Sequence, residues 1–178
     1  LWIDGVGCWL IWFGESLTFG NGASTRHDDD RLRIYADLKS RHAVWTRTGD
    51  DRFLEPLAVT RINGQEISQR MRLRTGDRIG LGTDVEFDYA VPSPLSNSAV
   101  VTCPSGHRTV GTMDGLVLFE STCLLGPGDQ NHVRCPDWES TLVLFERDKS
   151  MWWRVPERET PARPVLDGEV LDESNWRM

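Results

Sequence analysis

Hydrophobic positions along this chain come in short bursts. Trp9–Phe13, Leu17–Phe19, Leu32–Tyr35, Ala43–Arg47, Arg52–Leu54, Arg78–Leu81 and Val85–Tyr89 each read as a strand. Turn-forming segments separate them: Gly20-Asn21-Gly22, Thr48-Gly49-Asp50-Asp51, Asn63-Gly64 and Thr75-Gly76-Asp77. Val85-Glu86-Phe87-Asp88-Tyr89 alternates strictly, as a strand with one buried face does. No long window keeps the i, i+3, i+4, i+7 spacing of an amphipathic helix. Strands about every ten residues with turns between them predict an all-β chain, an antiparallel sandwich or barrel.

Pro92-Ser93-Pro94-Leu95-Ser96-Asn97-Ser98 interrupts the pattern, and its prolines and serines read as a linker. Beyond it the strand pattern restarts as a diverged copy of the first. Leu10-Ile11-Trp12-Phe13 aligns with Leu116-Val117-Leu118-Phe119, and Gly20-Asn21-Gly22 with Gly126-Pro127-Gly128 at the same offset. Ala43-Val44-Trp45 then aligns with Leu142-Val143-Leu144, Phe53 with Trp152, and Ile62-Asn63-Gly64 with Leu166-Asp167-Gly168. These anchors predict a first β domain over 1–91, a linker over 92–99 and a degenerate repeat over 100–178. The second copy is expected to be incomplete. Met178 corresponds to about Arg74, before the strands that close the first copy, so the native chain is expected to continue.

Composition removes several functions. Of 178 residues, 39% are hydrophobic and 26% charged, a soluble globular balance, with a formal net charge of −7. The longest apolar run, Val6 to Phe13, is far short of a membrane span. The cations are scattered among acids with no basic stripe, which argues against nucleic acid. No secretory leader opens the chain, and Cys8, Cys103, Cys123 and Cys135 are too sparse for a disulfide scaffold, so a cytoplasmic protein with reduced thiols is expected. Cys103-x-x-x-His107 and His132-x-x-Cys135 suggest zinc only on paper, because neither pair supplies the two close cysteines of a knuckle. Neither a nucleophile-elbow, a P-loop nor a zinc-protease motif occurs. The expectation is therefore no enzyme, no metal and no cofactor.

The first copy resembles a forkhead-associated (FHA) domain over nearly its whole length. Leu17-Thr18-Phe19-Gly20 stands where that family has Ile-Gly-Arg, and Lys39-Ser40-Arg41-His42-Ala43 where it has Ser-Arg-x-His-Ala. Ile62-Asn63-Gly64 follows, and Leu73-Arg74-Thr75-Gly76-Asp77-Arg78-Ile79-Gly80-Leu81-Gly82 matches a Leu-x-x-Gly-Asp-x-Ile-x-Leu-Gly signature. The tandem arrangement is similar to bacterial FHA-type proteins whose second copy has lost its motifs. The resemblance implies an eleven-stranded β-sandwich whose loops at one end bind a phosphothreonine-type peptide in signalling.

It further implies a site at Asn21, Lys39, Ser40, Arg41 and Asn63; apart from the resemblance, Arg26 in the loop after Gly22 is expected to reach back toward the anion. Gly20, His42 and Gly64 would be architectural. A phosphate dianion wants an Arg with hydroxyl or backbone donors. Here Asn21 replaces the family's turn Arg, and Lys39-Ser40 reverses its Ser-Arg pair. Lys39 lacks the planar fork of arginine, so binding weaker than the family norm is expected. In the second copy Pro127 and Asp167 occupy the corresponding positions, and no phosphate binding is expected there. The alternative is a structural or scaffolding β domain that ignores phosphate.

Overall fold

The computed structural model describes residues 1–22, 30–158 and 161–168. Those residues form eighteen strands: β1 (Trp2–Ile3), β2 (Gly7–Trp12), β3 (Ser16–Asn21), β4 (Arg31–Ile34), β5 (Ala43–Thr48), β6 (Asp51–Pro56), β7 (Thr60–Ile62), β8 (Gln65–Ile67) and β9 (Met71–Arg72). Then follow β10 (Arg78–Leu81), β11 (Val85–Ala90), β12 (Ala99–Thr102), β13 (Gly115–Leu118), β14 (Thr122–Gly126), β15 (Val133–Arg134), β16 (Leu142–Arg147), β17 (Ser150–Arg154) and β18 (Arg163–Pro164). A single 3-10 turn, Pro156–Arg158, is the one helical element among the described residues. The chain is all-β. Among the described residues no helix is long and apolar enough to cross a membrane.

Three sheets form. The central one runs β1-β2-β13-β12-β11-β10-β7-β8, flanked by β4-β3-β5-β6-β9 and by β15-β14-β16-β17-β18. Successive side chains of a strand point to opposite faces. Accordingly Leu116 and Leu118 of β13 enter one core with Phe19, Trp45, Phe87 and Tyr89, while Val117 between them enters a second core with Leu125, Leu144 and Trp153. β13 is thus a wall shared by two cores.

The two flanking sheets are copies. β3 pairs parallel with β4 and antiparallel with β5, which pairs with β6; β14, β15, β16 and β17 repeat that plan. Registers agree residue by residue. Phe19 lies opposite Leu32 and Ala43, and its counterpart Leu125 opposite Val133 and Leu142; Trp45 faces Leu54 as Leu144 faces Trp153. The leading strands of the repeats, β2 and β13, lie side by side in parallel with Leu10 opposite Leu116 and Trp12 opposite Leu118. One anchor departs from this plan. Ile62-Asn63-Gly64 sits in the central sheet, whereas Leu166-Asp167-Gly168 follows β18, which pairs with β17 at the edge position that β9 holds in the first half.

The division at 92–99 is corrected by this topology. Strands on the two sides of that stretch are neighbours in one sheet, with Tyr89 of β11 opposite Val101 of β12. Ala99, Val101, Leu116 and Leu118 complete the core of the first half, and Ile3, with Trp9 and Ile11 packed against it, helps to close that of the second. Neither half carries enough strands to cover its own core, so each borrows the other's leading strands. The intervening stretch is a pinned corner. Ser93, Ser96 and Ser98 are buried, Ser96 Oγ donates to the Thr122 carbonyl at 2.7 Å, and Ser98 Oγ accepts from the Glu120 amide at 3.0 Å.

Candidate functional site

At one end of the first core, β3 passes directly beneath the loop that leads into β5. A Cβ on Gly20 would stand 1.9 Å from the Ser40 carbonyl oxygen, a separation no side chain can adopt. Glycine is required there by close approach, since its φ is ordinary. The next residue fastens the same loop: the Asn21 amide donates to the Lys39 carbonyl, and Asn21 Nδ2 to that of Ala36, both at 3.0 Å.

His42 ties this loop to two others. Its Nδ1 accepts from the Lys39 amide at 3.3 Å, and its Nε2 lies 2.8 Å from the Val59 carbonyl. The Gly82 amide also lies 3.1 Å from Nε2, so this ring nitrogen meets both the Val59 carbonyl and the Gly82 amide. The Gly82 amide reaches the same carbonyl at 2.9 Å, while the His42 carbonyl accepts from Leu57 and Ala58. Three connections, β4–β5, β6–β7 and β10–β11, are thereby locked around one buried imidazole.

Above His42 these connections enclose an open cleft of about 570 Å³. Leu38, Ala58 and Val59 supply apolar lining, and Lys39, Arg61 and Asp37 supply the charged groups. Arg61 Nη1 donates to the Gly82 carbonyl, which aims its guanidinium along the cleft wall. The arrangement offers two cations beside an apolar surface, with one carboxylate opposing them. It can hold a small anion attached to an apolar body.

Of the residues singled out from sequence, Lys39 and His42 line this cleft. Ser40 and Arg41 are exposed on the same loop but do not line it, and Asn21 turns its amide to the loop's own backbone. Arg26 lies outside the described residues. Asn63 is elsewhere. With φ of 54° at Asn63 and 80° at Gly64, the pair forms the two-residue turn of the β7–β8 hairpin. Asn63 Nδ2 donates to Asp77 Oδ1 at 2.8 Å, and Asn63 Oδ1 accepts from the Arg78 amide at 2.9 Å. Both ends of its side chain are occupied by the fold. That pairing also explains the Gly76-Asp77 element, whose buried carboxylate accepts from the Arg74 amide at 2.6 Å as well.

Sequence reasoning missed Arg61. Its signal was available: in β7 it lies two residues before the Asn63-Gly64 turn, and strand alternation separates its side chain from that of Ile62. What was not available was the proximity of β7 to the loop carrying Lys39.

The second copy lacks this constellation. Thr141 stands where His42 does, one residue before the strand pairing Leu125 with Leu142, and a Cβ on Gly126 would meet Thr141 Oγ1 at 2.9 Å. The Cys/His set does not converge either. His132 uses its ring on the Leu124 amide (2.9 Å) and the Ser98 carbonyl (3.2 Å), while Cys103 Sγ and His107 Nδ1 both contact Ser105 Oγ. Burial pushes the Cys135 thiol up to about 12 and raises the Cys123 thiol as well. Among the described residues no three His, Cys, Asp or Glu side chains are placed to hold a metal ion.

No protein-family model matches the chain, and no curated protein matches it significantly.

Proposed function

We propose that the protein is a non-catalytic interaction module of FHA type that binds a phosphothreonine-type peptide, weakly, in the cleft between Lys39 and Arg61. One observation carries this reading: the Lys39 loop, the Arg61 strand and the Gly82 turn converge on a single buried histidine, His42, so that two cations face the same cleft. Loops held by a rigid sandwich present donors with little ordering cost on binding. Two cations opposed by Asp37 leave little net charge to attract a dianion, which supports weak binding. Four cysteines without a disulfide support a reducing, cytoplasmic setting.

A second reading, a scaffold indifferent to phosphate, is favoured by the internal use of the Asn21 and Asn63 side chains. Calorimetry separates the two. Under the first reading, a phosphothreonine peptide binds better than its unphosphorylated form, affinity falls with salt, and Lys39→Ala and Arg61→Ala each weaken it severalfold. Equal affinity for both peptide forms leaves the scaffold.

A further inference from the structure

Five glycines lie in the described strands, and crowding requires four of them. A Cβ on Gly7, Gly20, Gly115 or Gly126 would stand closer than 3.0 Å to another atom. Gly80, inside β10, has no such reason. Its φ lies outside the left-handed region, and an added Cβ would meet only the Arg61 Cβ, at 3.4 Å. A glycine inside a strand costs backbone entropy and packs no side chain, and it often marks a place where a ligand approaches closely.

Ile79 and Leu81 enter the first core, so strand alternation turns Gly80 to the outer face of the central sheet. Arg61 on β7 and Glu86 on β11 lie opposite it in register, on either side of a floor of bare backbone. Arg78 stands at one end, held by Asp88 at 2.9 Å and Glu86 at 3.9 Å. These groups bound a slot of about 240 Å³. Its walls are set in advance. The Arg61 guanidinium bonds the Gly82 carbonyl, and Ser105 Oγ pins the Glu86 main chain, accepting from its amide at 3.0 Å and donating to its carbonyl at 3.2 Å. Arg61, Gly82 and Thr83 also line the Lys39 cleft, so slot and cleft are continuous.

We infer that the slot takes an aromatic side chain of the same peptide whose phosphate enters the Lys39 cleft. Three features of the slot select that class. β10 is paired on both sides, so its main chain is committed to its neighbours rather than to a ligand. The Arg78 charge is met by two carboxylates, so an anion gains little there and Glu86 repels it. A flat ring, in contrast, covers bare backbone with its face and meets the guanidinium of Arg61 or Arg78 with its π-electrons. Gly80 lies two residues, about 7 Å, along β10 from Gly82, and an extended ligand advances about 3.3 Å per residue. The ring therefore belongs within about four positions of the phosphothreonine. This inference rests on the peptide-binding reading for its ligand.

The test is calorimetry with phosphothreonine peptides of alanine and serine, in which a single phenylalanine is moved from four positions before the phosphothreonine to four after it. The expected result is a gain of about fivefold in affinity over the peptide without phenylalanine, at one position or two adjacent ones. Gly80→Val fills the slot and abolishes the gain, whereas Lys39→Ala weakens peptides with and without phenylalanine alike and keeps their ratio. Near-UV circular dichroism verifies that each variant is folded. If Gly80→Val is not, Gly80→Ala is read in its place, and an unfolded Gly80→Ala overturns the inference, since the fold would then need the glycine. Phosphopeptides that bind with no gain at any position, or with a gain that Gly80→Val keeps, overturn it and leave the phosphate reading standing. A gain lost in Gly80→Val but equal for unphosphorylated peptides upholds the slot and removes the phosphate reading. Peptides that do not bind at all overturn both.

Discussion

Arg52 and Glu120, sixty-eight residues apart, form an ion pair at the seam between the two halves. The Arg52 side chain is 6% exposed, and it also donates to the carbonyls of Asn97 and Asp50. Arg47 approaches the same carboxylate at 3.7 Å. The seam therefore has a polar lock beside its shared strands. Removing one partner of a buried pair leaves the other charge uncompensated. Glu120→Ala is expected to cost about 3 kcal/mol, read as a lower urea midpoint with one transition retained. An unchanged midpoint would show the lock to be ornamental.

Exchange of leading strands makes a stronger prediction. A fragment of residues 1–91 lacks β12 and β13, whose Val101, Leu116 and Leu118 sit in the first core. It is expected to be unfolded or aggregated, whereas residues 14–119, which include every strand of the first sandwich, fold alone. Amide proton dispersion in NMR spectra distinguishes the two. A well-folded monomeric 1–91 fragment would refute the exchange.

Gly20→Ala forces its new methyl onto the Ser40 carbonyl, so backbone must move rather than a flexible side-chain tip. A loss of about 2–3 kcal/mol is expected, with slower-exchanging amides of the Lys39 loop becoming exposed. Hydrogen exchange localises the effect. Protection unchanged at Asn21 and His42 would contradict the close approach.

Asn63 serves the hairpin. Asn63→Ala loses two hydrogen bonds and places a less tolerant residue at positive φ, for about 2 kcal/mol, while Asn63→Gly recovers the backbone term only. Neither is expected to change peptide affinity at the Lys39 cleft. A selective loss of binding with normal stability would return Asn63 to the ligand site.

His132 gives the fold a pH dependence. Burial holds its imidazole down to about 4 from 6.5, opposed by the bond to the Ser98 carbonyl. Between these values the unfolded chain takes up a proton that the folded chain refuses, so stability rises with pH. On acidification it is lost progressively from about pH 6.5 and levels off below about 4, on the order of 3 kcal/mol in all. Urea midpoints across this range should slope for the natural chain and flatten for His132→Gln. An NMR titration placing His132 near 6.5 would remove the effect.

Much of the fold was legible in the sequence because it is written in local terms. Alternation in Val85–Tyr89 and the Asn63-Gly64 turn require no partner to be recognised, and the repeat registers at Phe19 and Leu125 follow from aligned apolar positions. The candidate site was only partly legible. Lys39 and His42 share a loop and could be found together, but Arg61 joins them through sheet geometry, and Asn63 is drawn away by Asp77.

The chain alone determined that it would be β throughout, doubled, and free of long helices, since side-chain period and turn chemistry act over a few residues. Only the tertiary structure decided which strand closes which core. Leu10 and Leu116 carry the same local pattern and sit in adjacent strands, so pattern cannot assign them. The choice belongs to the burial of two cores at once, with Leu116 completing the first and Val117 the second.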